Sequence, residues 1–282
     1  YISFYIHDPK VRHIRKACVR DRLIHQTVYT ALNKIYDPKL VEDVYSSRLG
    51  KGTHRAVKVL RKMSLKVSRN HTRDCWALKC DVRKFYDTVD HEILIQLLKK
   101  TIADEDAIWL LRVIIDSFHC EGNPGKGLPI GNLTSQIFTN VYLNDLDRFI
   151  KQELRMKYYL RFADDLLILS HSKAELEETL LRLKEFLRNR LQLEFHQKKV
   201  VIRPLPQGID FLGYITLPHH RVLRTTTRRR MKRRLKEKFY LYHDGEISGE
   251  SFNQTVQSYL GMLSHANHSK LEKEIKNEFC WG

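Results

Sequence analysis

The stretch "KYYLRFADDLLILS", Lys157–Ser170, constrains this chain more than any other. Two runs of aromatic and branched residues flank an Ala-Asp-Asp step, the pattern of a hairpin with Asp164 and Asp165 at or beside its turn. A carboxylate at the mouth of a buried strand is costly unless it is solvated, paired or bound to a cation. Alone, an Asp-Asp pair fits an ordinary turn. A third aspartate changes the balance: Asp81 closes the strand-like run "WALKCDV", and the two segments read as neighbouring strands. Together the three could hold hard divalent cations, which prefer carboxylate oxygen and complete their shells with water and substrate phosphates.

The flanking pattern predicts a mixed α+β domain. "YISFYI" is strand-like, and helix follows from about Asp21, with Leu23, Ile24, Val28 and Leu32 on one face. "SSRLGKGTHRAVKVLRKM" is a Gly-punctuated basic loop entering a helix. Trp76–Val82 reads as a strand, with helix from about Asp90. "GLPIGNLTSQIFTNVYLNDLDRFIKQELR" is a Gly/Pro turn leading into a helix that Thr134 or Ser135 could cap. "KAELEETLLRLKEFLRNRL" is an amphipathic helix, and "QLEFHQKKVVIRP" returns to strand. The order β, α, α, β-turn-β, α, β over residues 76–202 suits a split βαβ antiparallel sheet with helices on one face. "GIDFLGYITL" is a further hairpin, and the chain turns helical and basic after Arg221.

Charge narrows the chemistry. Fifty Lys and Arg against 33 Asp and Glu leave a net charge of +17, which points to a polyanionic partner, nucleic acid before others. Ten of the twenty residues from Arg221 to Tyr240 are Lys or Arg against one acid, Glu237, a density that favours phosphate contact. An acidic pocket in so basic a chain fits a nucleotide-polymerising site. Two cations about 3.5–4 Å apart would activate an attacking hydroxyl and stabilise the leaving oxygen. No apolar run approaches the roughly 20 residues that span a bilayer, and no signal-peptide pattern opens the chain. It starts at Tyr1, inside a strand-like run and without Met, as a fragment of a longer protein would. Five scattered cysteines (Cys18, Cys75, Cys80, Cys120, Cys280) form no CxxC pair, which argues against a zinc knuckle and for reduced thiols in the cytoplasm.

"LKCDVRKFYDTVDHEIL", "GLPIGNLTSQIFTNVYLNDLD", "YYLRFADDLLIL", "LEFHQKKVVI" and "IDFLGYI" resemble, in order, the palm motifs of reverse transcriptases. "DPKVRHIRKACVRDRLIHQ" and "SSRLGKGTHRAV" resemble fingers segments of the bacterial branch, shared with group II introns and retrons. "LPIGNLTSQ" with "GKGTHRA" looks more narrowly like the reverse transcriptases of diversity-generating retroelements. The implied fold is a right-hand polymerase: fingers over 1–75, palm over 76–216 with part of the fingers interleaved, and a helical thumb over 217–282.

The resemblance also implies roles. Asp81 and Asp164 would be metal ligands, with the Val82 carbonyl on the nucleotide-side ion and Asp165 supporting. The cofactor would be two Mg²⁺, for which Mn²⁺ can substitute. Phe85 and Tyr86 would flank the nucleotide, the Tyr86 ring excluding a ribose 2′-hydroxyl. Arg12 would lie over the triphosphate, with Arg20 and Arg22 as weaker candidates and Arg22 in an ion pair with the adjacent Asp21. Lys199, or the adjacent Lys198, would protonate the leaving pyrophosphate. Ile130, before Gly131, stands where bacterial relatives usually carry Gln. Isoleucine cannot hydrogen-bond, so base selection should loosen; it equally fits as packing beneath the turn. Arg228, Arg229, Arg230, Lys232 and Arg233 would grip an RNA–DNA hybrid by its backbone.

The implied activity is error-prone, adenine-mutagenised cDNA synthesis from dNTPs on a template RNA, in the cytoplasm of a bacterial or phage-infected cell, with a small basic accessory variability protein as partner and no membrane. The rivals are a retron, group II intron or phage-defence reverse transcriptase, and a non-catalytic polymerase-like RNA-binding protein.

Overall fold

A computed structural model describes residues 1–7, 11–267 and 269–279. The first half of the chain forms β1 (Ile2–Ile6), β2 (Arg12–Lys16), α1 (Val19–Tyr36), α2 (Thr53–Val67), β3 (Trp76–Asp81), α3 (Phe85–Thr88), α4 (His91–Lys99), α5 (Glu105–Asp116) and α6 (Leu133–Arg148). The second half forms β4 (Tyr158–Phe162), β5 (Asp165–Ser170), α7 (Lys173–Phe186), β6 (Val201–Pro204), β7 (Ile209–Phe211), β8 (Tyr214–Thr216), β9 (Arg221–Leu223), α8 (Thr225–His243), α9 (Gly249–Leu263) and α10 (Ser269–Phe279).

The chain divides into two compact units. The first comprises residues 1–56 and 77–202. Its four-stranded sheet has the order β4-β5-β3-β6, which sets the Asp-bearing hairpin beside the Asp81 strand. Strands β3, β4 and β5 are mostly buried because their residues are nearly all apolar. Helix α6 is sheathed by protein, with Ile137, Phe138, Val141, Tyr142, Leu143 and Leu146 in the core. A separate antiparallel ribbon, β1-β2, leaves Ile2, Phe4 and Tyr5 exposed.

The second unit comprises residues 57–76 and 203–282. An antiparallel meander, β7-β8-β9, supplies Tyr214 and Leu223 to an apolar cluster with Val57, Met231, Leu235, Phe252 and Ile275.

Several local expectations change. Asn132, rather than Thr134 or Ser135, is the N-cap residue of α6, and the Ser135 hydroxyl instead donates to the Pro129 carbonyl at 2.8 Å, closing the turn before the helix. Helix α5 was absent from the expected element order; its apolar positions, Ile108, Leu111 and Ile115, have helical spacing. Most of "QLEFHQKKVVIRP" is turn, with only Val201–Pro204 in a strand. Arg221–Leu223 is a strand, and helix resumes at Thr225. Cys75 and Cys80 are free thiols that burial pushes up to about 12, so they are neutral and inert. Cys280 lies outside the described residues. Among the described residues no helix is long and apolar enough to cross a membrane.

Candidate active site

The β4-β5 hairpin pairs Phe162 with Asp165, so Ala163 and Asp164 form its two-residue tip. Ala163 has φ +52°, a left-handed shape that costs a residue with a β-carbon roughly 1–2 kcal/mol. Two contacts hold it there. Its N–H donates to the Ser46 hydroxyl at 2.8 Å, and its carbonyl accepts from Arg161 Nη1 at 3.0 Å.

Arg161 is fully buried and meets Asp147 through two bonds of 2.7 Å. Tyr159 donates to the same carboxylate at 2.6 Å, and Asn140 accepts from Arg161 at 3.2 Å while donating to the Ser46 carbonyl at 3.2 Å. Burial alone would depress the guanidinium, but Asp147 outweighs it and holds the pKa above the ordinary value. A network this complete rigidifies what it touches, and here it braces the loop that carries Asp164.

Strand β3 delivers the second carboxylate. The Val82 N–H donates to the Asp164 carbonyl at 3.3 Å, tying the two acidic segments together. Burial, then the negative charges of Asp81 and Asp165, push the Asp164 carboxyl up to about 6. Opposite lies a short turn. His196 N–H donates to the Asp81 carbonyl at 2.8 Å, and a 3₁₀ turn at Gln197–Lys199 brings Lys199 Nζ to 2.7 Å from Asp81 Oδ1. Lys199, rather than Lys198, makes this contact because the turn sends them in different directions. Lys79 Nζ lies 3.9 Å from Asp165, a cation that sequence reasoning missed.

Among the described residues no group of three or more His, Cys, Asp or Glu side chains is arranged to hold a metal ion. The three aspartates therefore form no protein cage. Asp81 and Asp164 instead make an electrostatically strained pair, with Asp165 beside Lys79. Such an acid pair fits a hard divalent cation that draws its remaining oxygens from water and substrate phosphates. The bridge between Val82 and Phe195 uses the carbonyls of Asp81 and Glu194, not that of Val82.

Around this pair lie the expected nucleotide residues. Tyr86 is raised above its ordinary pKa by burial; it bonds Thr139 and feels the charges of Asp164 and Arg12. Phe85 is 1% exposed and packs edge-on against Tyr86 and Tyr142, so it supports the Tyr86 ring and has no surface to offer a nucleotide. That corrects the reading of Phe85 as a binding residue. Strand β2 carries Arg12 and is pinned to the Ile130-Gly131 turn by the Arg15 N–H to Ile130 carbonyl bond of 3.0 Å. Gly131 has φ +116°, and a β-carbon there would meet Ile14 Cγ2 at 2.9 Å, so only glycine fits. Ile130 is partly exposed beside it. Arg20, not Arg22, pairs with Asp21, at 3.6 Å.

In the second unit, α8 buries Met231 and Leu235 and turns Arg228, Arg229, Lys232 and Arg233 outward, with Arg230 half-buried. Arg228, Arg229 and Lys232 line a cavity of about 420 Å³ with Asn267 and Lys270. Lys232 also pairs with Glu274 at 2.9 Å, and Arg233 with Glu237 at 3.5 Å.

The family model described as "Reverse transcriptase (RNA-dependent DNA polymerase)" matches residues 7–216, a span that holds every carboxylate of this site. The chain belongs to the reverse transcriptase family. Its relatives include protein YkfC of Escherichia coli (strain K12), 24% identical over 78% of this chain and 65% of that protein. Another is the group II intron-encoded protein LtrA of Lactococcus lactis subsp. cremoris, 23% identical over 73% of this chain and 44% of that protein. This reverse transcriptase chain thus spans about half to two-thirds of the length of these relatives. Among solved structures, telomerase from Candida albicans, in complex with a fragment of telomeric RNA, aligns at 12% identity with a TM-score of 0.60, covering 99% of this chain and 57% of that one. At that identity the likeness shows the fold, a right-hand polymerase.

Proposed function

We propose that the chain is an RNA-directed DNA polymerase whose reaction centre is the meeting of Asp81, Asp164 and Lys199. The observation that carries this is the convergence of two carboxylates and one ammonium at the joined ends of β3 and the β4-β5 hairpin. The primer 3′-oxygen forms a bond to the α-phosphorus of a dNTP, and the bond to pyrophosphate breaks. Divalent cations held by Asp81 and Asp164 would supply hydroxyl activation and charge neutralisation. Lys199 neutralises the charge beside Asp81 and donates a proton to the leaving pyrophosphate. Tyr86 walls the sugar side, Arg12 faces the triphosphate, and Asp165, steadied by Lys79, keeps the carboxylate pair in place. In this reading residues 1–75 act as fingers, 76–216 as palm and 217–282 as thumb, and α8 tracks an RNA–DNA hybrid along its backbone.

Within that activity we read the chain as the error-prone enzyme of a diversity-generating retroelement, working with a template RNA and a small basic accessory protein. Support comes from the paired motifs "GKGTHRA" and "LPIGNLTSQ" and from a partly exposed Ile130 that can offer no hydrogen bond near the nucleotide. The similarity to LtrA favours a second reading, a template-faithful enzyme of the intron class. Sequenced cDNA from an RNA template containing all four bases separates them, with Asp164→Ala as the inactive control. Errors concentrated opposite template adenines, reduced by Ile130→Gln, support the first reading; uniformly faithful product supports the second.

A further inference from the structure

The turn that carries Lys199 also borders a cavity of about 350 Å³. The cavity belongs wholly to the first unit, where the end of α7 meets the segment 193–200. Leu193, Phe195 and Val200 give it an apolar wall, and Gln197 comes from the 3₁₀ turn itself. Two cations line it as well. Lys184 lies in the last turn of α7, and Arg188 follows four residues later in the π-helical turn Leu187–Leu191, about one helical turn on.

Neither cation is neutralised. Lys184 and Arg188 make no side-chain ion pair or hydrogen bond among the described residues. Glu194, the acid among the described lining residues, has a cation of its own in Arg83, at 3.9 Å. Exposed cations on an amphipathic helix are ordinarily just solvated. Here both border a concave, partly apolar space whose volume falls within the roughly 300–1,000 Å³ of small-molecule sites. An apolar wall combined with two unmatched positive charges selects an anion with an apolar body.

The same wall is joined to Asp81. The Arg83 N–H donates to the Glu194 carbonyl, the His196 N–H to the Asp81 carbonyl and the Lys199 N–H to the His196 carbonyl, each at 2.8 Å. Lys199 Nζ then meets the Asp81 carboxylate at 2.7 Å. On the α7 side, the Lys184 charge opposes the rise that burial imposes on the thiol of Cys80, the neighbour of Asp81.

We propose that this cavity binds a small organic anion, a planar apolar body bearing one acidic group, and that its occupant holds the turn carrying Lys199 in place. Lys184 and Arg188 take the acidic group, and the Leu193, Phe195 and Val200 wall takes the planar body. The consequence for catalysis rests on the reading of Lys199 as the proton donor; the binding does not.

The test is calorimetric titration of the full chain with naphthyl phosphate, adenosine monophosphate and inorganic phosphate, paired with amide hydrogen exchange over residues 194–199. Wild type is expected to bind one naphthyl phosphate saturably, and inorganic phosphate at least about tenfold more weakly, since it brings no apolar surface. Lys184→Gln and Arg188→Gln, both at exposed positions that folding tolerates, should each weaken binding about tenfold or more. Arg190→Gln, exposed nearby but off the lining, should leave it unchanged. Bound naphthyl phosphate should slow exchange at His196 and Lys199 in wild type and not in Arg188→Gln. Adenosine monophosphate bound as tightly, and lost in the same variants, makes the occupant a nucleotide; binding of naphthyl phosphate alone makes it another aromatic acid. No saturable binding in wild type, or equal binding in every variant, overturns the site. Binding that leaves the exchange of 194–199 unmoved overturns the link to Lys199. Neither measurement needs catalysis, so a failure here is separable from a failure of the polymerase reading.

Discussion

Two buried arginines, one in each unit, show opposite solutions to the same problem. Arg161 is met on every side by Asp147, Asn140 and the Ala163 carbonyl. Among the described residues Arg221 has two unpartnered nitrogens and a second arginine as a charged neighbour. The first spends its hydrogen bonds on fixing the loop of Asp164. The second keeps them unspent. A charge compensated within the protein holds a shape, and a charge left uncompensated is carried at a cost to stability.

Removing each arginine breaks the comparison most sharply. Arg161→Met leaves Asp147 buried with the Tyr159 hydroxyl but without its counter-charge and should cost about 3–5 kcal/mol in urea unfolding. Arg221→Met should cost nothing or raise stability. Equal losses in both would erase the contrast.

Asp164 gives the next largest effect. Its carboxyl takes up a proton more readily in the folded state, at about 6, than at its ordinary value of 3.8. Folding is therefore favoured by protonation, and this contribution is present below about pH 4 and lost as pH rises to about 6. Asp164→Asn should then be more stable than wild type at neutral pH without divalent cations, by on the order of 1–3 kcal/mol. The two should converge in acid, and Mg²⁺ at pH 7 should narrow the gap by stabilising wild type alone. Parallel pH curves would contradict a carboxyl raised by burial and by its acidic neighbours.

Ser46→Ala strikes the satisfied network at its edge, leaving the Ala163 N–H without its acceptor. We expect a loss of about 1–2 kcal/mol and a lower rate of nucleotide incorporation at unchanged KM for dNTP, restored by Ser46→Thr. Thr216→Val is its counterpart on the unsatisfied side. It removes a buried hydroxyl with no partner among the described residues and should shift thermal stability by less than about 1 kcal/mol, towards stability.

Much of this was legible in the sequence because it depends on neighbours along the chain. The alternation around Asp164 gives the hairpin, and the run into Asp81 gives the strand beside it. Asp147, Asn140 and Ser46 were not legible, since each reaches the Asp164 loop only through the fold. Arg161 did leave a signal: a charged residue within the buried run Tyr159–Arg161 needs a partner. Lys199 could not be separated from Lys198 by spacing, because a single 3₁₀ turn decides which of them meets Asp81. Strand Arg221–Leu223 was hidden by the basic run it opens, where charge density masks a short alternating pattern.

The most direct test of the account is single-nucleotide incorporation on a primed RNA template by folded wild type and Asp164→Asn with Mg²⁺. The account predicts a loss of about 1,000-fold or more in the variant, because the carboxylate pair that would hold the cations is broken. An Asp164→Asn enzyme within about tenfold of wild type would contradict the assignment of the reaction centre to Asp81, Asp164 and Lys199.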